Sequence, residues 1–322
     1  MTRRPSLRQL GYLVALADKL NFTRAAAACF VTQSTLSVGL KELEHDLGIQ
    51  LVERDRHSVR LTPAGEVALT RARELLAAAD DLVEASAAAA RPMSGQLRLG
   101  VIPTIAPFLL PTLMPLVRSR FPALRLVLRE DLTGNLLLRL RDGALDAALI
   151  ALPFDTEGLS VQPLFEDELW LVAPQGDALV AGKRVSISAQ LSGRLLILEE
   201  GHCLREHTLL ACGRSEAASA DGIEATSLLT LVQMVACGMG VALIPEIALK
   251  AGLLAATRLI AAPLAPPVPT RTIALASRRS SARAADLARL AEVIVEEHRR
   301  RRGRHTTSVG RRASKAPRRV GP

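Results

Sequence analysis

The chain has 322 residues, 49% of them hydrophobic but only 2% aromatic, and a formal net charge of +9. That length suits two or three compact units of about 150 residues, with cores built from aliphatic side chains. The charge does not mark the folded body: residues 299–322 alone carry ten arginines and lysines and no acid, so the remainder is close to neutral, at 9 less 10.

The longest apolar run, Leu228–Pro245, is interrupted by Gln233, Gly238 and Gly240 and falls short of the roughly 20 clean residues that a membrane span needs. No apolar stretch follows Arg3 and Arg4 as a secretory leader would require. A soluble cytoplasmic protein without membrane contact is expected, in a compartment where disulfides are transient. Its four cysteines and six histidines show no metal-ligand spacing, so neither a metal nor another cofactor is expected.

In chain order, Leu7, Leu10, Leu13, Val14 and Ala17 recur at helical spacing and predict a first helix over Leu7–Leu20. Asn21 and Thr23 offer cap oxygens for a short alanine-rich helix ending at Ala28. Thr32 can cap a third helix to Asp46, with Leu36, Leu40, Leu43 and Leu47 inward and Gly48 closing it. Two helices joined by a tight turn make a helix-turn-helix, whose second helix enters the major groove with its first residues at base edges. Gln33, Ser34, Ser37 and Lys41 are short or flexible polar side chains suited to that task. Leu51–Arg56 and Val59–Gly65 read as a basic hairpin, which makes the helix-turn-helix winged.

The whole stretch Leu7–Gly65 resembles the LysR-type transcriptional regulators, including Thr32-Gln33-Ser34-Thr35-Leu36-Ser37 and Leu61-Thr62-Pro63-Ala64-Gly65. The resemblance implies double-stranded promoter DNA as a partner, contacted by Thr32, Gln33, Ser34, Thr35, Ser37 and Lys41 and by Arg54 and Arg56 of the wing. It also implies RNA polymerase as a partner and a nucleoid-associated location. Val38 departs from the pattern, since many relatives carry arginine there.

Leu69, Leu76, Val83 and Ala90 recur every seven residues with Ala72, Ala79 and Ser86 offset by three, a heptad seam. The resemblance implies a linker helix through which such regulators form dimers and tetramers. Arg91-Pro92-Met93-Ser94-Gly95 ends it. Beyond, strands at Gln96–Ile102, Leu124–Glu130 and Ala147–Leu152 alternate with helices at Phe108–Arg120 and Leu136–Asp142, predicting a parallel sheet covered on both faces. A second unit holds Glu168–Val172, Leu195–Leu198 and the helix-strand Ser227–Ile244. The strand Arg271–Ala276 and the helix Ala282–Glu297 return to the first.

The expected fold class is therefore α/β behind an all-α winged helix-turn-helix. Its domains are residues 1–62 for DNA, 63–92 for the linker helix, and 93–298 for regulation. The resemblance implies two periplasmic-binding-protein-like subdomains in the last of these, 93–164 with 268–298, and 165–267, separated by a cleft. Residues 299–322 read as a disordered basic tail.

In such α/β units ligands sit beyond the carboxyl ends of strands, where both Thr104 and Cys203 fall. Cys203 has His202 and Arg205 as neighbours, and cationic neighbours lower a thiol's pKa. Cys212 follows nine residues later. On one straight helix the pair would be about 13 Å apart at 1.5 Å per residue, whereas a disulfide needs Cα atoms within about 7 Å, so pairing would demand refolding. The plainer alternative is two buried thiols acting as small hydrophobes. Cys29 and Cys237 read as structural, and His45, His57 and His207 as surface residues.

The run Gly201-His202-Cys203-Leu204-Arg205, Cys212, and Gly100-Val101-Ile102-Pro103-Thr104 are together similar to the peroxide-sensing OxyR branch of the family. That resemblance implies Cys203 as peroxidatic thiolate, Cys212 as resolving thiol, and Thr104, Thr133, His202, Arg205 and Arg271 as the residues that bind peroxide and stabilise the thiolate. Hydrogen peroxide would be the signal, a reversible disulfide the switch controlling oxidative-stress genes, and a thiol reductant the means of resetting it. One rival is a LysR-type regulator that answers to a small molecule in the cleft, the cysteines being incidental. A thiol peroxidase is the other; a DNA-binding domain and the lack of a Cys-x-x-Cys motif oppose it, so no enzymatic activity is expected.

Overall fold

The computed structural model describes residues 4–54, 59–182, 184–213 and 224–312. They form two compact units, one made of the chain to Ala90 with Arg139–Ala144 and Ser280–Ala282, the other of the rest from Arg91.

The first unit opens with α1 (Leu7–Lys19), α2 (Phe22–Ala28) and α3 (Gln33–Leu47). Each start is fixed locally. Ser6 and Gln9 form a capping box on α1, Asn21 accepts from the amide of Arg24, and Thr32 accepts from the amide of Thr35, so each side chain satisfies a backbone donor that the helix leaves open. Gly48 ends α3 in the left-handed region at φ 68°, a conformation glycine adopts without steric cost. Leu10, Leu13, Leu16, Ala25, Leu36, Leu40 and Leu43 are buried together. Gly39 lets α1 and α3 approach closely, because a Cβ there would stand 2.7 Å from the Tyr12 ring. The wing follows as β1 (Val52–Arg54) paired antiparallel with β2 (Val59–Leu61).

Next comes α4 (Pro63–Ala90). Its heptad seam divides in use: Leu69 and Ala72 are buried and Leu76 packs against the helix-turn-helix core, whereas Leu82 and Val83 are exposed. One end of the stripe is thus part of the first unit's own core.

The second unit begins β3 (Gly95–Val101), α5 (Ala106–Arg120), β4 (Leu124–Glu130), α6 (Thr133–Arg141), β5 (Ala147–Leu152) and β6 (Leu159–Pro174). After a 3-10 turn at 178–180 come α7 (Ala189–Ser192), β7 (Ile197–Leu198), α8 (Cys203–Ala211), β8 (Glu224–Ala225), α9 (Leu228–Ala236), β9 (Ala242–Pro245) and α10 (Glu246–Lys250). It closes with β10 (Leu259–Pro263), β11 (Thr270–Arg278) and α11 (Ala284–Arg312).

The main sheet runs β10-β6-β11-β5-β3-β4, with β9 also on β6. The three strands expected to be parallel are so, while the rest of the sheet is antiparallel. β3 lies parallel to β4 and β5, as βαβ connections demand, and β5 shows the continuous buried run Ala147–Ala151 of a strand covered on both faces. By contrast β11 is antiparallel to both β5 and β6, and β6 is antiparallel to β9 and β10. The 16-residue β6 explains this: its first part pairs with β11 and its second with β9 and β10, so one strand serves two groups of partners. A periodicity reading located only Glu168–Val172 of it. The second group carries its own aliphatic core, including Leu171, Val172, Leu196, Ile197, Leu198, Val232 and Leu243.

The basic tail begins as a continuation of the last helix. α11 continues past Glu297 to Arg312, through the first half of the segment expected to be disordered; residues 313–322 lie outside the described residues. Arginine is a good helix former, and extending an existing packed helix avoids the cost of nucleation.

Candidate redox site and DNA-reading helix

Four strand ends bring the site together. Thr104 follows β3, Thr133 is the first residue of α6 after β4, Arg271 lies at the start of β11, and Cys203 is the first residue of α8 after β7. All four are buried. Thr104, Thr133, His202 and Cys203 line a tight crevice, too narrow as it stands for a water molecule, together with Ile102, Pro103, Leu132 and Gly201.

Arg271 organises the polar side. Its Nη1 donates to Thr104 Oγ1 at 2.7 Å, and its Nε and Nη2 donate to Asp167 Oδ2 at 3.1 and 2.9 Å. Asp167, from β6, also accepts from the amide of Ile247 at 2.9 Å. Burial pushes the Asp167 carboxyl up, and Arg271 and that amide oppose it. Since Thr104 Oγ1 accepts from Arg271, its hydroxyl proton is left to donate elsewhere. Thr133 Oγ1 is buried without a full hydrogen bond in the protein, although it is near enough to the Cys203 sulfur to favour the thiolate.

Burial pushes the Cys203 thiol above its ordinary value; the Arg271 charge, the Thr133 hydroxyl and the Leu204 amide pull it back, and Glu206 adds to the rise. Its position at the first turn of α8 supplies a further pull, because a helix N-terminus favours negative charge.

The cation beside the sulfur is not the one that adjacency in sequence suggested. Arg205 donates to Glu224 and, at 2.9 Å, to the carbonyl of Leu198, where a salt bridge and a strand-end carbonyl hold it. His202 does line the crevice, but burial pushes its pKa down and favours the neutral ring, against the pull of Glu199 and of the Thr226 backbone. The charge comes instead from Arg271, 68 positions beyond Cys203.

His207 also departs from expectation. It is buried, with Nδ1 2.6 Å from the carbonyl oxygen of Cys203 and Nε2 2.7 Å from that of Leu152. An isolated helical histidine carries no sequence sign of such partners. Asp167 was missed as well, since nothing in Phe165-Glu166-Asp167-Glu168 distinguishes the one carboxylate that is buried. Neither Cys203 nor Cys212 is in a disulfide; Cys203 is buried and Cys212, at the C-cap of α8, is half-buried.

At the first unit, Thr32, Gln33, Ser34, Thr35 and Lys41 are exposed at the N-terminal part of α3, with Ser37 half-exposed. Thr23 Oγ1 donates to Gln33 Oε1 at 3.2 Å, and Thr32 is engaged in its cap. Arg54 ends β1, and Arg56 lies outside the described residues. Among the described residues no cluster of histidine, cysteine or acidic side chains could hold a metal, and no helix is long and apolar enough to cross a membrane.

Residues 7–66 match the bacterial regulatory helix-turn-helix of the lysR family, and residues 90–299 match the LysR substrate binding domain. The chain belongs to the LysR family of transcriptional regulators. It is 46% identical to the HTH-type transcriptional regulator EstR of Acinetobacter baylyi, over 87% of this chain and 93% of that one. With a probable hydrogen peroxide-inducible genes activator of Streptomyces viridosporus it shares 43% identity, over 91% and 95%. Full-length OxyR from Pseudomonas aeruginosa, solved as a point mutant, superposes with a TM-score of 0.74 at 36% identity, covering 91% of this chain and 98% of that one. As a LysR-type regulator of the OxyR kind, the chain binds DNA through the helix-turn-helix of α2 and α3.

Proposed function

We propose that this LysR-type regulator senses hydrogen peroxide at Cys203 and controls oxidative-stress genes through a reversible Cys203–Cys212 disulfide. One observation carries the reading: the Cys203 sulfur faces a crevice in which Thr104 has a hydroxyl proton to offer and Thr133 has a buried hydroxyl without a full partner. A small molecule with two polar oxygens satisfies both once the crevice widens to admit it, and buried hydroxyls left unsatisfied are costly.

In the first step the Cys203 thiolate attacks one peroxide oxygen and the O–O bond breaks. Cys203 becomes a sulfenic acid, and the departing hydroxide takes a proton to become water. Arg271, through Thr104, and Thr133 stabilise charge on the departing oxygen. In the second step the Cys212 thiolate attacks the sulfenic sulfur, an S–S bond forms and a second water leaves. The dithiol has then given two electrons to the peroxide, and a cellular thiol reductant returns them. Arg205 acts at a distance, fixing the end of β7 rather than touching the sulfur.

The helix α8 spans the cysteines, so the disulfide requires it to leave its helical path. That rearrangement biases a two-state protein. It acts on the two groups sharing β6, subdomains 93–164 with 268–298 and 165–267, and on a dimer or tetramer formed through α4 (linker 63–92). The DNA-reading set is Thr32, Gln33, Ser34, Thr35, Ser37 and Lys41 with Arg54 and Arg56, at promoter DNA on the cytoplasmic nucleoid with RNA polymerase.

The test is a peptide map by mass spectrometry of reduced protein treated with near-stoichiometric hydrogen peroxide, thiols being alkylated before digestion. The expected result is a rapid Cys203–Cys212 disulfide that disappears with dithiol and fails to form in Cys203→Ser. Thiols that stay alkylatable would overturn peroxide sensing and turn attention to a small-molecule effector.

A further inference from the structure

His207 has no part in the chemistry above, yet it is tied twice. Its Nδ1 lies 2.6 Å from the Cys203 carbonyl, one helical turn back, and its Nε2 lies 2.7 Å from the Leu152 carbonyl at the end of β5. The first contact is an i, i+4 relation that persists only while the opening turn of α8 is helical. The second runs 55 positions in sequence and fastens the middle of α8 to a strand outside it. Carbonyl oxygens only accept, so both contacts are hydrogen bonds when both ring nitrogens carry protons. The groups bearing on the ring are Arg271 from β11, itself paired with Asp167 of β6, and Glu206 of α8. Burial, the largest effect, and Arg271 hold the ring's pKa below its ordinary value against the two carbonyls and Glu206, so the neutral ring donates to one carbonyl at a time.

Resting on the dithiol–disulfide reading, we infer that His207 is a positioning residue that fastens α8 in its dithiol conformation and so sets how readily Cys203 and Cys212 are joined. The physical reason is that the tie belongs to one state. Joining the cysteines brings Cα atoms that are about 13 Å apart on a helix to within about 7 Å, and this unwinds the turn that links His207 to Cys203. A contact made only by the dithiol favours the dithiol. Reducing the disulfide takes two electrons and two protons, supplied in the test by dithiothreitol, which becomes its own cyclic disulfide.

Full-length protein is equilibrated in buffers of reduced and oxidised dithiothreitol, and the Cys203–Cys212 disulfide is quantified by peptide mapping in wild type, His207→Gln and His207→Leu. Leucine, which has no donor, should shift the equilibrium about tenfold toward the disulfide, or about 30 mV to more negative potential for this two-electron couple. Glutamine, whose amide donates, should recover at least half of that shift. A leucine variant at the wild-type midpoint, or a glutamine variant shifted as far as leucine, would overturn the inference, since the second result means shape rather than donation matters. If His207→Leu does not fold, His207→Met serves as the donor-free variant. A wild-type protein that forms no such disulfide in any buffer overturns the sensing reading itself and this inference with it, and is distinguished by needing no variant.

Discussion

Helices α3 and α8 each present functional side chains at their N-terminal turn, but they are built in opposite ways. α3 is capped by its own neighbour, Thr32, and displays Gln33, Ser34 and Lys41 to solvent. α8 has His202 at its N-cap without a side-chain cap bond and buries Cys203 against residues that follow β3 and β4, with the charge of Arg271 from β11 acting on it. The difference is between a helix finished by local chemistry and one finished by the rest of the fold. The first reads an external surface and so needs exposure; the second tunes one sulfur and so needs enclosure.

The sharpest way to break the comparison is at Asp167. Its removal in Asp167→Ala leaves Arg271, fully buried, without its carboxylate. Losing one partner of a buried pair costs about 3–5 kcal/mol because the remaining charge is uncompensated. Denaturant unfolding of the full chain should show that loss in the second unit, while specific DNA contact by α3, being built locally, survives at temperatures where both units remain folded. An equal loss of DNA-binding-domain stability would contradict the separation.

The pH dependence of Cys203 oxidation sharpens it next. Only the thiolate attacks, and burial holds this thiol above its ordinary value. Below a thiol's pKa the thiolate fraction rises tenfold per pH unit, so the second-order rate constant with hydrogen peroxide should keep climbing through neutrality toward the ordinary thiol range. Rapid-mixing kinetics would show this directly. A plateau near neutral pH would mean that Arg271 and the helix N-terminus outweigh burial.

The smallest effect is expected at α3. Thr32→Ala removes the side-chain acceptor for the Thr35 amide, and loss of such a cap costs about 1 kcal/mol. Thermal unfolding of the first unit should register it while Cys203 oxidation stays at the wild-type rate. A changed oxidation rate would show that the two helices are not independent.

Legibility followed the same division. The caps Asn21, Thr32 and Gly48 and the core positions of α3 could be read because each acts within a few residues. Strands β4 and β5 were located at their observed ends, since continuous aliphatic runs between helices are a local signal. The long course of β6 was not legible: after the buried Leu159 its first part, through Phe165, mixes apolar and polar residues that are exposed or half-buried and contains Pro163, and it is a strand because β11 pairs with it. Adjacency in sequence pointed to His202 and Arg205 as neighbours of the sulfur, whereas Arg271 entered only through the family resemblance. In a folded chain the distance that matters for charge is through space.

What the sequence determined by itself was the family, the winged helix-turn-helix, and the two cysteines spaced so that they cannot pair within one helix. The last two rest on periodicity, capping and spacing, which are properties of short segments, and the family on the resemblance of such segments to LysR-type regulators. Only the tertiary structure decided that Arg271 is held by Asp167, that Arg205 is occupied with Glu224, and that His207 is buried between two carbonyls. Those choices depend on which strand ends meet, and no segment contains that information alone, because a buried charge takes its partner from whichever element the fold brings within hydrogen-bond reach.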